Sequence, residues 1–371
     1  MWAYTIDTHN KTANLAEVKT PKIINGEILL KVEKWSLCRT DISHMQSRLG
    51  VKANGLISGH EVLGVVAESK DERIKVGEYI SYMGATDFGG GAEFKRLKCV
   101  TDQDKKKANH KGSPTEWFFT KRNFFDVYGA AVVKINEQNK SLLRYGSLLE
   151  PLCCILRVTE NYKPKKGSNV IVLGAGCIGA LAIQCFKEIY QVNKILILDI
   201  NNHKLDKIRS TYQIYSNDIV TCLVKPKENI EIDGLISETK GAFGEYLFDA
   251  LPPYIDTLNF PDTRYLGANL LSPKGKYMMF SATIMPETTM LFWPILSKGI
   301  TLTATGFDQR AFSMVDTASI MKKARDFVNS GKINLQKIVT KEINFFDEQN
   351  VKKNILKYGS KEFLWKTIIS L

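Results

Sequence analysis

The stretch NVIVLGAGCIGALAIQCFKEIYQVNKILILD, residues 169–199, reads as strand, glycine turn, helix and second strand. Val170 to Leu173 is a short apolar run rich in β-branched residues, the pattern of a strand buried on both faces of a parallel sheet. Gly174, Gly176 and Gly179 follow at G-x-G-x-x-G spacing. The first permits a tight turn, the second lets a pyrophosphate approach the main chain, and the third lets helix and strand pack closely. Cys177 and Ile178 open a helix whose apolar positions, among them Leu181, Ala182, Cys185, Phe186 and Ile189, share one face. Amides at its N-terminus are placed to hold a phosphate. A second apolar run ends in Asp199, twenty residues past Gly179. A carboxylate there accepts hydrogen bonds from ribose hydroxyls and repels a 2′-phosphate, so the expected cofactor is NAD. NADP is the minor alternative, because His203 and Lys204 lie just beyond the acid.

Composition places this unit in an ordinary globular chain. With 371 residues there is room for two domains, and 44% hydrophobic and 24% charged residues exclude a disordered or fibrous protein. The net charge of +12 is spread over scattered lysines, with KPKK (163–166) and DKKK (104–107) the only short clusters, so no nucleic-acid partner is expected. The N-terminus carries no apolar core of signal-peptide length and no run reaches membrane-spanning length, so the expected setting is cytoplasmic, with no membrane partner. Seven cysteines, odd in number and widely spaced, do not make a disulfide framework.

Up to about residue 100 the chain shows short strand patterns broken by turns: AYTI, EILLKVEKW, VLGVVAES, GEYISYM and AEFKRL. A polar segment with an aromatic knot, 101–123, reads as a long loop. From about 155 to 307 strands and helices alternate, with strands expected at DIVTCL, YLFDA, KYMMFSA and ITLTATGF and a helix around 255–271. That is the pattern of a doubly wound parallel sheet. FSMVDTASIMKKARDFVNSG, 312–331, reads as an amphipathic helix stopped by Gly331. The fold class is α/β, with a mostly-β domain over 1–154 completed by 308–371 and a dinucleotide-binding domain over 155–307.

Three chemically capable groups stand in the first domain: Cys38 in the run Cys38-Arg39-Thr40-Asp41, His60-Glu61, and Glu150 before Pro151. A thiolate, an imidazole and a carboxylate can build a catalytic zinc site, which needs three protein ligands and an open position. Taken singly, each has an ordinary reading: a buried small thiol, a satisfied histidine, a turn acid.

The combination resembles the zinc-containing medium-chain alcohol dehydrogenase family, in its polyol, sugar and threonine dehydrogenase branch. The motifs that carry the likeness are Cys38 to Asp41, GHEVLGVV (59–66), KVGEYI (75–80), LLEPL (148–152), VLGAGCIG (172–179), LDINNHKL (198–205) and KGITLTATG (298–306). The resemblance implies a GroES-like catalytic domain beside a Rossmann domain. It also implies one catalytic zinc held by Cys38, His60 and one of Glu61 or Glu150. Thr40 would bridge substrate oxygen and cofactor ribose, with Ser43 or His44 passing the proton on. Arg39 and Lys204 join the glycine turn as candidate cofactor contacts, and the family's habit implies a homo-oligomer, dimer or tetramer.

Two departures stand out. Where relatives carry four close cysteines for a structural zinc, this chain has only Cys99, so no structural zinc is expected. Ala250-Leu251-Pro252-Pro253 replaces the small residue and glycine usual near the nicotinamide. Tyr82, Trp117 and Arg122 are candidate substrate contacts. The expected reaction is hydride transfer between NAD and a secondary alcohol or ketone of a polyol, sugar, cyclitol or sugar derivative, possibly phosphorylated. A threonine-type amino alcohol is the nearest alternative. A zinc-independent reductase, or a non-catalytic dinucleotide-binding redox sensor, would share the fold but need no ligand set and no Thr40.

Overall fold

The computed structural model describes all residues except 48–53, 84–88, 106–128, 226–229, 253–262, 281–291, 305–312 and 361–362. Two compact units emerge: Met1–Cys153 with Gly306–Leu371, and Cys154–Thr305.

The first unit opens with an antiparallel pair, β1 (Trp2–Asp7) and β2 (Thr12–Glu17). It continues through β3 (Glu27–Ser36), β4 (Glu61–Ser69), β5 (Tyr79–Met83), β6 (Phe94–Val100) and β7 (Ala130–Ile135). β6 pairs with β7 on one side and with the first half of β3 on the other, which closes β3, β4, β5, β7 and β6 on themselves. Curling a sheet back on itself in this way reduces the edge that is left for pairing with another chain.

The second unit is built on a six-stranded parallel sheet. Its strands are β8 (Val170–Leu173), β9 (Ile195–Asp199), β10 (Ile219–Leu223), β11 (Gly244–Asp249), β12 (Leu271–Met279) and β13 (Thr301–Ala304), in the order β10-β9-β8-β11-β12-β13. β8 and β9 are buried at every position, as their apolar runs Val170–Leu173 and Ile195–Leu198 require, with Asp199 buried at the end of β9. The order reverses between β8 and β11, the switch point at which open α/β sheets bind ligands. The core includes Ile171, Leu196, Leu247 and Tyr277.

The chain then returns to the first unit with the helix Met314–Asn329, capped by Ser313 and Asp316, and with β14 (Val339–Asn344) and β15 (Lys366–Ser370). β15 lies antiparallel to the end of β3, with Ile368 opposite Ser36, and parallel to β14. Ile343, Phe345, Val351, Ile355 and Ile369 enter the same core as Tyr4, Leu30 and Trp35. The Tyr4 hydroxyl donates to the Phe345 carbonyl at 2.7 Å, and the two rings meet edge to face. Among the described residues no helix is long and apolar enough to cross a membrane.

The doubly wound sheet and the mostly-β domain expected from the sequence are both present. The helix after the glycine turn ends sooner than its apolar spacing predicts: Cys177–Gln184 is α-helical and Cys185–Ile189 is a π-turn, closed by the Tyr190 amide on the Cys185 carbonyl. The helix expected around 255–271 is seen over Thr263–Leu270, after which β12 begins at Leu271. Tyr82, a candidate substrate contact, is fully buried in the core on β5, a strand buried on both faces from Ile80 to Met83. Trp117 and Arg122 lie outside the described residues.

Candidate functional site

β3 runs out at Ser36, and the short helix Arg39–Met45 begins two residues later with Cys38 at its N-cap. Asp41, at the third helical position, reaches back to accept from the Cys38 amide at 3.0 Å, the reciprocal half of a capping box. The same fully buried carboxylate accepts from the Gly59 amide at 3.1 Å and meets His60 Nδ1 at 3.2 Å. One acid thus ties together the two segments that carry Cys38 and His60.

Gly59 makes this approach possible. It sits at φ +90, and a Cβ there would lie 2.5 Å from Trp35 Nε1 and 2.6 Å from the Gly91 amide nitrogen. Only glycine fits both the conformation and the space. Gly90 and Gly91 in turn donate their amides to the carbonyls of Gly59 and Ser58.

The outcome is a single tight group among the described residues: donor atoms of Cys38, His60 and Glu61 all lie within 4.8 Å of one another. Glu150, buried in the first turn of the helix Leu149–Asn161, is not in that group. Glu61 starts β4 and is buried together with Lys366, the first residue of β15, whose ammonium contacts Glu61 Oε1. The other carboxylate oxygen, Oε2, is buried with no hydrogen-bond partner. A buried carboxylate oxygen left unpaired is costly. Beside a thiol and an imidazole it is a donor set suited to zinc, so these residues fit the ion that the motifs imply.

Electrostatics at the site are set by burial and by this charge cluster. Burial alone would push the Cys38 thiol up, but the Lys366 ammonium and then His60 pull it down to about 7. His60 is carried well above the ordinary histidine range, since the neighbouring Asp41 and Cys38 outweigh its desolvation. Burial drives the Glu61 carboxyl up against the pull of Lys366. A divalent cation would displace these protons, so binding couples to proton release. His44, buried on the same helix as Asp41, is lowered to about 4 chiefly by desolvation and is neutral at pH 7. Thr40 is partly buried with its Oγ1 3.7 Å from Cys38 Sγ, whereas Arg39 is exposed. Ser43 is buried.

In the second unit Gly174 turns at φ +94, Gly176 caps the helix Cys177–Gln184 with no side chain, and space beside Gly176 is open to 4 Å. A Cβ on Gly179 would stand 1.9 Å from the Gly174 carbonyl oxygen, so this glycine holds helix against turn as its position in the motif predicts. Cys177 and Ile178 are half-buried at the helix start. Asp199 ends β9 and accepts two main-chain bonds, from the Ala175 amide at 2.7 Å and from the Asn201 amide at 2.8 Å. It therefore braces the glycine turn as well as ending the strand. Lys204 is half-buried in the first turn of the helix Asn202–Thr211.

Two charged residues of the first unit are central to this geometry yet unassigned from sequence. Asp41 lies within a quoted motif, and its place three residues past Cys38 is the available signal. Lys366 gives none, being one lysine in an apolar strand far along the chain.

Known proteins similar to this chain include dehydrogenases and a reductase. The profile of the alcohol dehydrogenase GroES-like domain matches residues 24–118. D-xylulose reductase of Saccharomyces cerevisiae is 24% identical over 242 residues, 62% of this chain and 63% of that protein, so the match spans just under two thirds of this relative. L-threonine 3-dehydrogenase of Bacillus velezensis is 23% identical over 354 residues, 90% of each chain. Galactitol-1-phosphate dehydrogenase from Escherichia coli superposes with a TM-score of 0.72 at 17% identity, covering 100% of both chains, a likeness of fold. In sequence and fold the chain is thus similar to alcohol and polyol dehydrogenases, which are oxidoreductases.

Proposed function

We propose that this protein is a zinc- and NAD-dependent dehydrogenase that interconverts a secondary alcohol of a polyol, sugar or cyclitol, free or phosphorylated, with the corresponding ketone. The observation that carries the reading is the convergence of half-buried Cys38 with buried His60 and Glu61 in one tight group, where one Glu61 oxygen has no hydrogen-bond partner. A bound zinc ion supplies a Lewis acid that lowers the pKa of a substrate hydroxyl, and NAD takes the hydride.

The protein's own residues supply the rest. Cys38, His60 and Glu61 hold the ion, with Glu150 the alternative carboxylate. Asp41 fixes the imidazole through Nδ1, which leaves Nε2 for the metal. Thr40 takes the substrate's hydroxyl proton, and Ser43 or the neutral His44 carries it onward. Gly174, Gly176, Cys177, Ile178 and Gly179 seat the pyrophosphate at the helix N-terminus. Asp199 and Lys204 serve the adenosine ribose, and Arg39 is a further cofactor contact.

Metal content and NADH binding of wild type and Cys38→Ser test the proposal together. The expected result is about one zinc per chain, removed by the substitution while NADH binding persists. Wild type that binds NADH but takes up no zinc when supplied with it would overturn the reading. A threonine-type substrate is the second reading, favoured by the relative aligned over 90% of both chains. Side-by-side turnover of polyols, sugar phosphates and L-threonine separates the two.

A further inference from the structure

Lys366 is buried at 1% exposure, yet it carries an ammonium up to the metal-ligand group. Its Nζ contacts Glu61 Oε1 and lies 3.4 Å from the Leu37 carbonyl, directly before Cys38. The geometry is fixed by β15, which lies against the end of β3 and so delivers the lysine to the segment that bears the thiol. A buried ion pair of this kind commonly adds less stability than an apolar pair of equal volume, so stability alone does not account for it.

We infer that Lys366 is a positioning residue for the metal centre: by occupying Glu61 Oε1 it restricts the carboxylate to one-oxygen ligation through Oε2, and its charge brings the loaded site to neutrality. This rests on the metal reading above. The charge argument is direct. The Cys38 thiolate and the Asp41 and Glu61 carboxylates bring three negative charges into a buried group, and a divalent ion offsets only two of them. Lys366 supplies the third positive charge. Without it the site is a net anion in a medium where charges are poorly screened, and Glu61 is free to turn both oxygens on the metal. Such a site grips a cation more tightly and gives it up more slowly.

The test uses the full-length protein loaded with Co²⁺, whose visible absorption reports coordination number directly. Release of Co²⁺ to a chromophoric chelator is timed for wild type, Lys366→Met, Lys366→Gln and Lys366→Arg. Lys366→Met is expected to slow release by about tenfold or more, the scale on which outer-shell partners act on metal affinity. Its d–d bands should weaken as a second Glu61 oxygen joins the ion. Lys366→Gln, which keeps a hydrogen-bond donor but not the charge, shifts release in the same direction and serves if the methionine variant does not fold. Lys366→Arg restores release to within about threefold of wild type, a smaller step than those outer-shell changes. Release as fast as wild type or faster in both neutral variants overturns the inference while leaving the metal reading intact. Wild type that binds no Co²⁺ overturns both.

Discussion

Replacing Asp41 by Asn isolates the contribution of the acid that joins the two ligand-bearing segments. Asp41 Oδ1 serves both the Gly59 amide, at 3.1 Å, and His60 Nδ1, at 3.2 Å, while Oδ2 serves the Cys38 amide at 3.0 Å. Asparagine keeps one oxygen and replaces the other with an NH₂ donor. Its better orientation puts the carbonyl toward Gly59 and His60 and leaves the Cys38 amide facing a donor. An unsatisfied buried N–H costs about 1–3 kcal/mol, and two bonds lose their charge assistance. Together these amount to about 2–4 kcal/mol of lost stability in the metal-free protein, measured by urea unfolding. The His60 ring keeps its Nδ1–H donor but loses the carboxylate behind it, so metal affinity in a chelator competition should fall by about 10–100-fold. A variant within about 1 kcal/mol of wild type, binding metal equally well, would refute the claim that Asp41 ties these segments together.

Three further outcomes follow from the same geometry. Gly59→Ala forces a Cβ at φ +90 to within 2.6 Å of the Gly91 amide nitrogen, so thermal unfolding should report a loss of about 3 kcal/mol or more, together with loss of bound metal. Gly179→Ala places a Cβ 1.9 Å from the Gly174 carbonyl oxygen, a main-chain clash no rotamer relieves, and NADH titration by fluorescence should show binding abolished with the first unit's metal retained. His44 titrates near 4 in the native protein, below the ordinary histidine value near 6.5, because burial disfavours the charged ring. The unfolded chain therefore takes up a proton before the native one does, and this group removes stability as pH falls from about 6.5 to about 4, by on the order of 3 kcal/mol in full. His44→Asn should flatten that part of the acid limb in denaturant unfolding; an unchanged slope would show that His44 is not desolvated as described.

The second unit was legible because its information is local. Gly174, Gly176, Gly179 and Asp199 fall within one strand–helix–strand passage, and each residue type answers a need of that passage. Strands of high β-propensity, such as Glu27–Ser36 and Glu61–Ser69, were equally plain. By contrast, Thr12–Glu17 has the sequence TANLAE, with few β-formers, and becomes a strand only because β1 lies beside it. Ala130–Ile135, by contrast, carries Val132, Val133 and Ile135 and pairs with β5 along its whole length but one residue. The site divides along the same line. Cys38, His60 and Glu61 are conspicuous as chemical types, whereas the partner of Glu61 enters from 305 residues away. No local rule signals a contact at that separation. The π-turn at Cys185–Ile189 was hidden for another reason, since apolar spacing cannot distinguish a five-residue bond from a four-residue one over a single turn.

The return of the chain through β14 and β15 has a consequence for biosynthesis. The Cys154–Thr305 unit is contiguous and can close as soon as it leaves the ribosome, but the unit begun at Met1 cannot. Its strand β3 waits for β15, and Glu61 waits for Lys366, 305 residues further on, while the chain grows at ~5–20 residues per second. For tens of seconds the nascent protein carries a finished parallel sheet and a half-built β-unit with an unpaired strand end and an uncompensated acid. That interval is when the polypeptide is most exposed to aggregation and to chaperones.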